Sequence, residues 1–167
     1  HAKTIYNQIQ DAIDKDKRTD LSWMIFGNNS FSDKAKDKAG NFGDHFSLTR
    51  LIMTQLHGSE FDNNFGTLDQ FKAKCESGDL PSYSFLEPNY GGEDQNDQHP
   101  PTDIRAGEQL IADVYNMVKD SKSFDKTMHR LTCAVLQIAG YPRITNLIYI
   151  ETMLPLMYLI GVDCPTS

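Results

Sequence analysis

Two short apolar runs, Trp23-Met24-Ile25-Phe26 and Tyr83-Ser84-Phe85-Leu86, constrain this chain more than any other feature. Each is closed by chain breakers, Gly27-Asn28-Asn29 after the first and Pro88 after the second, as expected of short buried strands. Around them lie stretches with helical periodicity. Thr4 is placed to cap a segment carrying Ile5, Ile9, Ala12 and Ile13 on one face with Tyr6 adjacent, and the polar run Asp14 to Asp20 ends it. Thr67 caps a second segment with Leu68, Phe71 and Cys75 inward and Gly78 as its stop. Further on, Ile104, Ile111, Val114 and Val118 recur at helical steps, with Leu110, Tyr115 and Met117 beside them, and this stripe reads as core rather than as a cofactor box. Gly107 sits on the stripe, which lets the helix approach a sheet closely. Phe46 to Leu56 also reads as helical, and the Lys/Asp-rich Ser32 to Gly40 as a solvated loop. Helices alternating with short apolar strands predict an α/β layered domain with a mostly parallel sheet flanked by helices.

In such sheets ligands bind beyond the carboxyl ends of the strands, and here that place belongs to the loop from Glu87 to Thr102. The loop holds Asp97-Gln98-His99-Pro100-Pro101, and the two prolines stiffen the backbone beside the imidazole, as a phosphate-contacting histidine requires. Asp97 is a candidate to orient that ring, or else a turn or cap aspartate. Glu87 is a candidate acid in the cleft, or simply the strand's last residue before Pro88. Arg105 could contact an anion near the helix start, although an ion pair with Asp103 or Glu108 is the commoner outcome. Asp44-His45 has metal-ligand residue types side by side, which is more often surface polarity, and His57 and His129 have no partner in sequence.

Composition narrows the classes. The chain has 167 residues, 39% hydrophobic and 23% charged, which fits one soluble globular domain with a real core. Its 16 basic and 23 acidic residues give a net charge of −7, which disfavours nucleic acid and anionic membrane surfaces as general partners. Cys75, Cys133 and Cys164 are too few and too far apart for a zinc knuckle or a disulfide framework. No basic then apolar leader opens the sequence as read. Leu147 to Ile160 is apolar but broken by Glu151 and Pro155, so it predicts buried structure rather than a transmembrane span.

Several segments carry a resemblance. LPSYSFLEPNY, then NDQHPPTDIRAGEQLIADVYN, resemble the phosphoesterase family of non-specific phospholipases C and related acid phosphatases, within the alkaline-phosphatase-like superfamily. Upstream, KTIYNQI and LSWMIF are similar to that family's helix and strand before an insertion, and LDQFKAKCESGDLPSYSF to its approach to the EP loop. The resemblance covers about residues 3 to 127. It implies metal-assisted cleavage of a phosphoester in a phospholipid or phosphomonoester substrate, with a hydroxyl nucleophile and a divalent cation in the complete enzyme. It also implies a secreted or membrane-peripheral setting. His99 with Asp97 would stand on the catalytic side, and Glu87 and Arg105 on the substrate side. The family's ENRSFDH-like metal motif and its nucleophile find no counterpart in this sequence, and Thr127-Met128-His129-Arg130 stands where a TYDEHGG-like segment is expected. The resemblance therefore implies a portion of the domain, an incomplete fragment that binds no metal of its own and is inactive alone; the alternative is a non-catalytic phosphate-binding chain or a truncated product.

Residues 128–167 form a compositional break. From Met128 onward the formal charges are only Arg130, Arg143, Glu151 and Asp163, while the preceding part is densely charged. The expectation is a partial phosphoesterase domain over 1–127 followed by a divergent apolar tail, of the kind a retained intron or shifted reading frame produces.

Overall fold

Five strands, all parallel to their neighbours, form one sheet whose order across is Phe65–Thr67, Trp23–Gly27, Tyr83–Glu87, Asn146–Ile150 and Thr127–Leu131. The architecture comes from a computed structural model, which describes residues 2–27, 40–42, 45–90, 94–98, 101, 103–131 and 146–150, with backbone alone for 41, 42, 128–131 and 146–150. In chain order the elements are α1 (Ile5–Lys15), β1 (Trp23–Gly27), β2 (Asn41–Phe42), β3 (His45–Phe46), α2 (Leu48–Ile52), β4 (Phe65–Thr67), α3 (Leu68–Ser77), β5 (Tyr83–Glu87), α4 (Ile104–Lys119), β6 (Thr127–Leu131) and β7 (Asn146–Ile150). β2 and β3 make a separate antiparallel pair, and short 3₁₀ turns cover 54–56, 59–64 and 124–126. The α/β class with a parallel sheet flanked by helices is thus as expected.

Alternation along β1 and β5 divides the core in two. Trp23 pairs with Tyr83 and Ile25 with Phe85 in register, so their side chains share one face; Met24 and Phe26 share the other with Ser84 and Leu86. On the first face lie Tyr6, Trp23, Ile25, Leu56, Phe65 and Phe85, with Ile9, Ile13, Met53 and Phe61 packed around them. On the second, α3 and α4 press Phe71, Cys75, Leu110, Val114 and Val118 against Phe26 and Leu86. Helices therefore cover both faces, which a parallel sheet requires because neither face can be left to water.

The helix ends follow their sequences. Thr4 and Asn7 form a reciprocal capping box at α1, and Thr67 and Gln70 form another at α3. Gly78 closes α3 in the left-handed region at φ +86°, where a Cβ would be strained.

Three expectations need correction. On α1 the inward stripe is Tyr6, Ile9 and Ile13, whereas Ile5 is 47% exposed. The decisive residue is Tyr6, whose ring meets Trp23, Tyr83 and Phe85 at centroid distances of 5.1, 5.8 and 6.3 Å and so fixes which face turns inward. On α4 the buried residues are Gly107, Leu110, Val114 and Val118, while Ile104 is 59% exposed and Ile111 half-buried. The helix turns this way because Leu110, Val114 and Val118 face Phe26 and Leu86, while Gly107 lies against Asn96 and Gln98. Finally, Phe46 to Leu56 is a strand end, a five-residue helix and a 3₁₀ turn rather than one helix, broken at Met53 with φ −89° and ψ 87°. Of Ser32 to Gly40, only Gly40 is among the described residues.

The segment that begins at Met128 contributes to the sheet. β6 starts at Thr127, and β7 lies between β5 and β6, pairing Tyr83 with Leu147 and Met128 with Leu147 across its two edges. No helix among the described residues is long and apolar enough to cross a membrane.

Candidate functional site

Parallel pairing brings three strand ends level. Gly27 of β1 pairs with Thr67 of β4 on one side and with Glu87 of β5 on the other, so the chain emerging from β5 starts in the middle of the sheet's carboxyl edge. Pro88 and Asn89 follow, both buried.

The loop that leaves there is tied to itself. The Asn89 N–H donates to Asn96 Oδ1 at 2.6 Å, the Asn96 N–H donates back to the Asn89 carbonyl at 3.0 Å, and Asn89 Nδ2 donates to the Asp94 carbonyl at 3.1 Å. These bonds satisfy backbone groups that a buried irregular segment would otherwise leave unpaired. Asp97 is 1% exposed, and its Oδ1 accepts from Gln95 Nε2 at 2.8 Å. Gln98 is left-handed at φ 58°, and His99 lies outside the described residues.

Glu87 is 2% exposed, and its Oε1 accepts the Thr49 N–H at 2.6 Å. Its Oε2 is buried and has no hydrogen-bond partner among the described residues. Burial pushes the carboxyl above the ordinary carboxylate value, against the lowering effect of the Thr49, Ser47 and Leu48 donors. The contact joins the end of β5 to the start of α2, where Ser47 Oγ accepts from the Arg50 N–H at 3.0 Å. Arg50 is itself buried. Its guanidinium reaches Asp62 at 2.5 Å and the Gly58 carbonyl at 3.3 Å, and it lies 4.8 Å over the Phe65 ring, so it fastens α2 to the 58–62 turn and to β4.

Arg105 stands apart from this buried group. It is exposed and paired with Asp103, Nε to Oδ2 at 2.8 Å, while Asp103 caps α4 by accepting the Arg105 N–H at 3.0 Å. The guanidinium holds the Asp103 carboxyl at about 2. Of the four sequence candidates, then, Glu87 and Asp97 are each buried, at the end of β5 and on the loop after it, Arg105 is exposed at the start of α4, and His99 lies outside the described residues. Sequence reasoning missed Thr49, Ser47, Arg50, Asn89 and Asn96. Asn89 and Asn96 are residues of types that bond locally in loops, a signal that was available; the Thr49–Glu87 contact spans 38 positions and left no local trace.

The other chemistry-bearing residues are elsewhere. His45 is exposed, Asp44 lies outside the described residues, and His57 Nε2 is 3.3 Å from the Leu51 carbonyl. Among the described residues no three His, Cys, Asp or Glu side chains gather as a metal site requires. A cavity of about 640 Å³ opens against α1, lined by Asn7, Gln10, Asp11, Asp14, Glu60 and Phe61 among others, and no described residue of the β5–α4 loop borders it. Cys75 of α3 is buried in the cluster that α3 shares with α4, and burial pushes its thiol up to about 12. In the native chain Cys75 should therefore resist alkylation by iodoacetamide at neutral pH and become reactive in denaturant, a difference that mass spectrometry of the labelled peptide reads directly.

Residues 3–132 match the Phosphoesterase family. The chain belongs to that family. It is similar to three Arabidopsis thaliana proteins: non-specific phospholipase C6, 31% identical over 98 residues; non-specific phospholipase C5, 30% over 103; and non-specific phospholipase C4, 30% over 103. Those alignments cover 55%, 58% and 58% of this chain, and 19%, 20% and 19% of the relatives. The chain thus spans about a fifth of the length of these relatives. No solved structure matches it.

Proposed function

We propose that this chain supplies one wall of a phosphoester hydrolase of the phospholipase C or acid phosphatase type, an enzyme of the alkaline-phosphatase-like superfamily acting on a phospholipid or phosphomonoester. The observation that carries the reading is the loop from Glu87 to Thr102. It leaves the middle strand of a parallel sheet at its carboxyl edge, the usual ligand side of such a sheet, in a chain of the phosphoesterase family.

In this reading the phosphoryl group lies against the loop. The His99 imidazole donates a hydrogen bond to a phosphate oxygen or a proton to the departing alkoxide, and Asp97 supports it from the buried side. Arg105 and Glu87 flank the substrate: Arg105 is the exposed cation nearest the loop in sequence, and Glu87 holds the floor through Thr49. The nucleophile and the divalent metal of the complete enzyme belong to ENRSFDH-like and DEHGG-like segments that this sequence does not contain. The wall binds and orients; the remainder performs the bond cleavage.

Two measurements on the 167-residue chain test this. Incubation with p-nitrophenyl phosphate or phosphatidylcholine and a divalent cation should give no turnover, while inorganic phosphate should perturb His99. Turnover that His99→Ala abolishes would show that the chain carries the complete machinery and overturn the single-wall reading. Absence of both turnover and a His99 response would favour a chain without phosphate chemistry.

A further inference from the structure

Glycine is the poorest helix former after proline, yet one stands in the first turns of α4. Its surroundings explain it. A Cβ built on Gly107 would lie 2.3 Å from Gln98 Cγ, 2.8 Å from Gln98 Cδ and 2.9 Å from the Asn96 carbonyl oxygen. All three distances are closer than real Cβ atoms approach, and one of the three neighbours is backbone, so any side chain here must push the loop away. The sequence suggested that Gly107 lets the helix close on a sheet; in the fold it is the Asn96–Gln98 loop that closes on the helix.

The loop is held there from three sides. Asn89 and Asn96 exchange bonds through backbone and side chain, at 2.6 and 3.0 Å. Gln98 lies across the glycine, and its Nε2 donates to the Ile104 carbonyl at 3.4 Å. Between them Asp97 is buried at 1% exposure. Gln98 also takes a left-handed backbone at φ 58°, a conformation that a non-glycine residue keeps only where its surroundings impose it.

We infer that Gly107 is a positioning residue: the bare helix surface at 107, together with the Asn89–Asn96 clamp, seats the Asn96–Gln98 segment and so fixes Asp97, the carboxylate proposed above to support His99. The inference deepens the function proposed above and rests on it for the phosphate, but the seating can be measured without any ligand.

The test compares the chain with its Gly107→Ala, Gln98→Gly and doubly substituted forms. Gly107→Ala should speed amide exchange of Asn89 and Asn96 by about tenfold or more and weaken the inorganic phosphate response of His99 by a similar factor, with amides of β1 and β5 unchanged. Gln98→Gly removes the obstructing side chain and suits the left-handed backbone, so in the double variant it should restore most of both losses. A helix-stability effect alone would slow nothing selectively and would not be rescued from position 98. Unchanged protection of Asn89 and Asn96 in Gly107→Ala, or a loss shared equally by β1 and β5 and not rescued, overturns the inference. If the unsubstituted chain gives no phosphate response at His99, the proposed function fails while the exchange data still decide the seating.

Discussion

Phe26→Ala is expected to destabilise the chain by about 3–5 kcal/mol, the range for deleting a fully buried aromatic ring. Phe26 is 1% exposed, its ring sits 5.2 Å from that of Phe71 at 66°, and it belongs to the cluster that joins β1 and β5 to α3 and α4. The cavity left behind would have walls on the sheet and on two helices, none of which can close without moving the others. Domains are commonly stable by only about 5–15 kcal/mol, so the loss is a large fraction of the whole. It should appear in urea titration as a lower midpoint with the slope preserved. A change below about 1 kcal/mol would mean that this interface is not the packed core described. Because Phe26 is followed by Gly27 at the sheet's carboxyl edge, the same variant should also loosen the loop after β5.

Glu87→Gln is expected to stabilise the chain at neutral pH. In the folded chain the carboxyl titrates above its ordinary value of 4.5, because burial penalises the charged form more than the Thr49 N–H compensates it. A group with a raised folded-state value contributes its stability fully below the unfolded value, and that contribution is lost as pH rises through the folded value. The native chain should therefore be relatively favoured at acid pH and penalised toward neutrality. Glutamine keeps an oxygen for the Thr49 N–H and carries no charge. The two chains should melt alike near pH 4 and diverge as pH rises, with the variant about 1–3 kcal/mol more stable near pH 7. A variant less stable than the parent at pH 7 would show that Glu87 is held ionised by a positive group. That result would return it to the list of charged site residues.

Much of the frame was legible in the sequence because it is locally encoded. The Thr4 and Thr67 caps, the Gly78 stop and the two apolar runs each rest on residues within a few positions of one another, and all recur in the fold. What escaped was decided at long range. Ile5 and Tyr6 are nearly equivalent as periodicity, and only the aromatic cluster with Trp23, Tyr83 and Phe85 selects the tyrosine. The helix that ends at Met53 is tied by Arg50 to Asp62 and Phe65, partners 12 and 15 positions away. The candidate site divides similarly. That Glu87 ends a strand and Asp97 lies on the loop after it was readable, but that Glu87 points its Oε1 at Thr49 was not. Arg105 pairs with Asp103, the commoner outcome for a cation two residues from a capping aspartate.

The proposed function requires that the loop after β5 meet phosphate. The direct measurement is a titration of the 167-residue chain with inorganic phosphate and with phosphocholine, following the imidazole resonances of its five histidines by NMR. The expected result is a saturable shift at His99, weakened in Asp97→Asn, while His45 and His57 stay still. A His99 signal unmoved by either ligand, or equal shifts at all five rings, would contradict it.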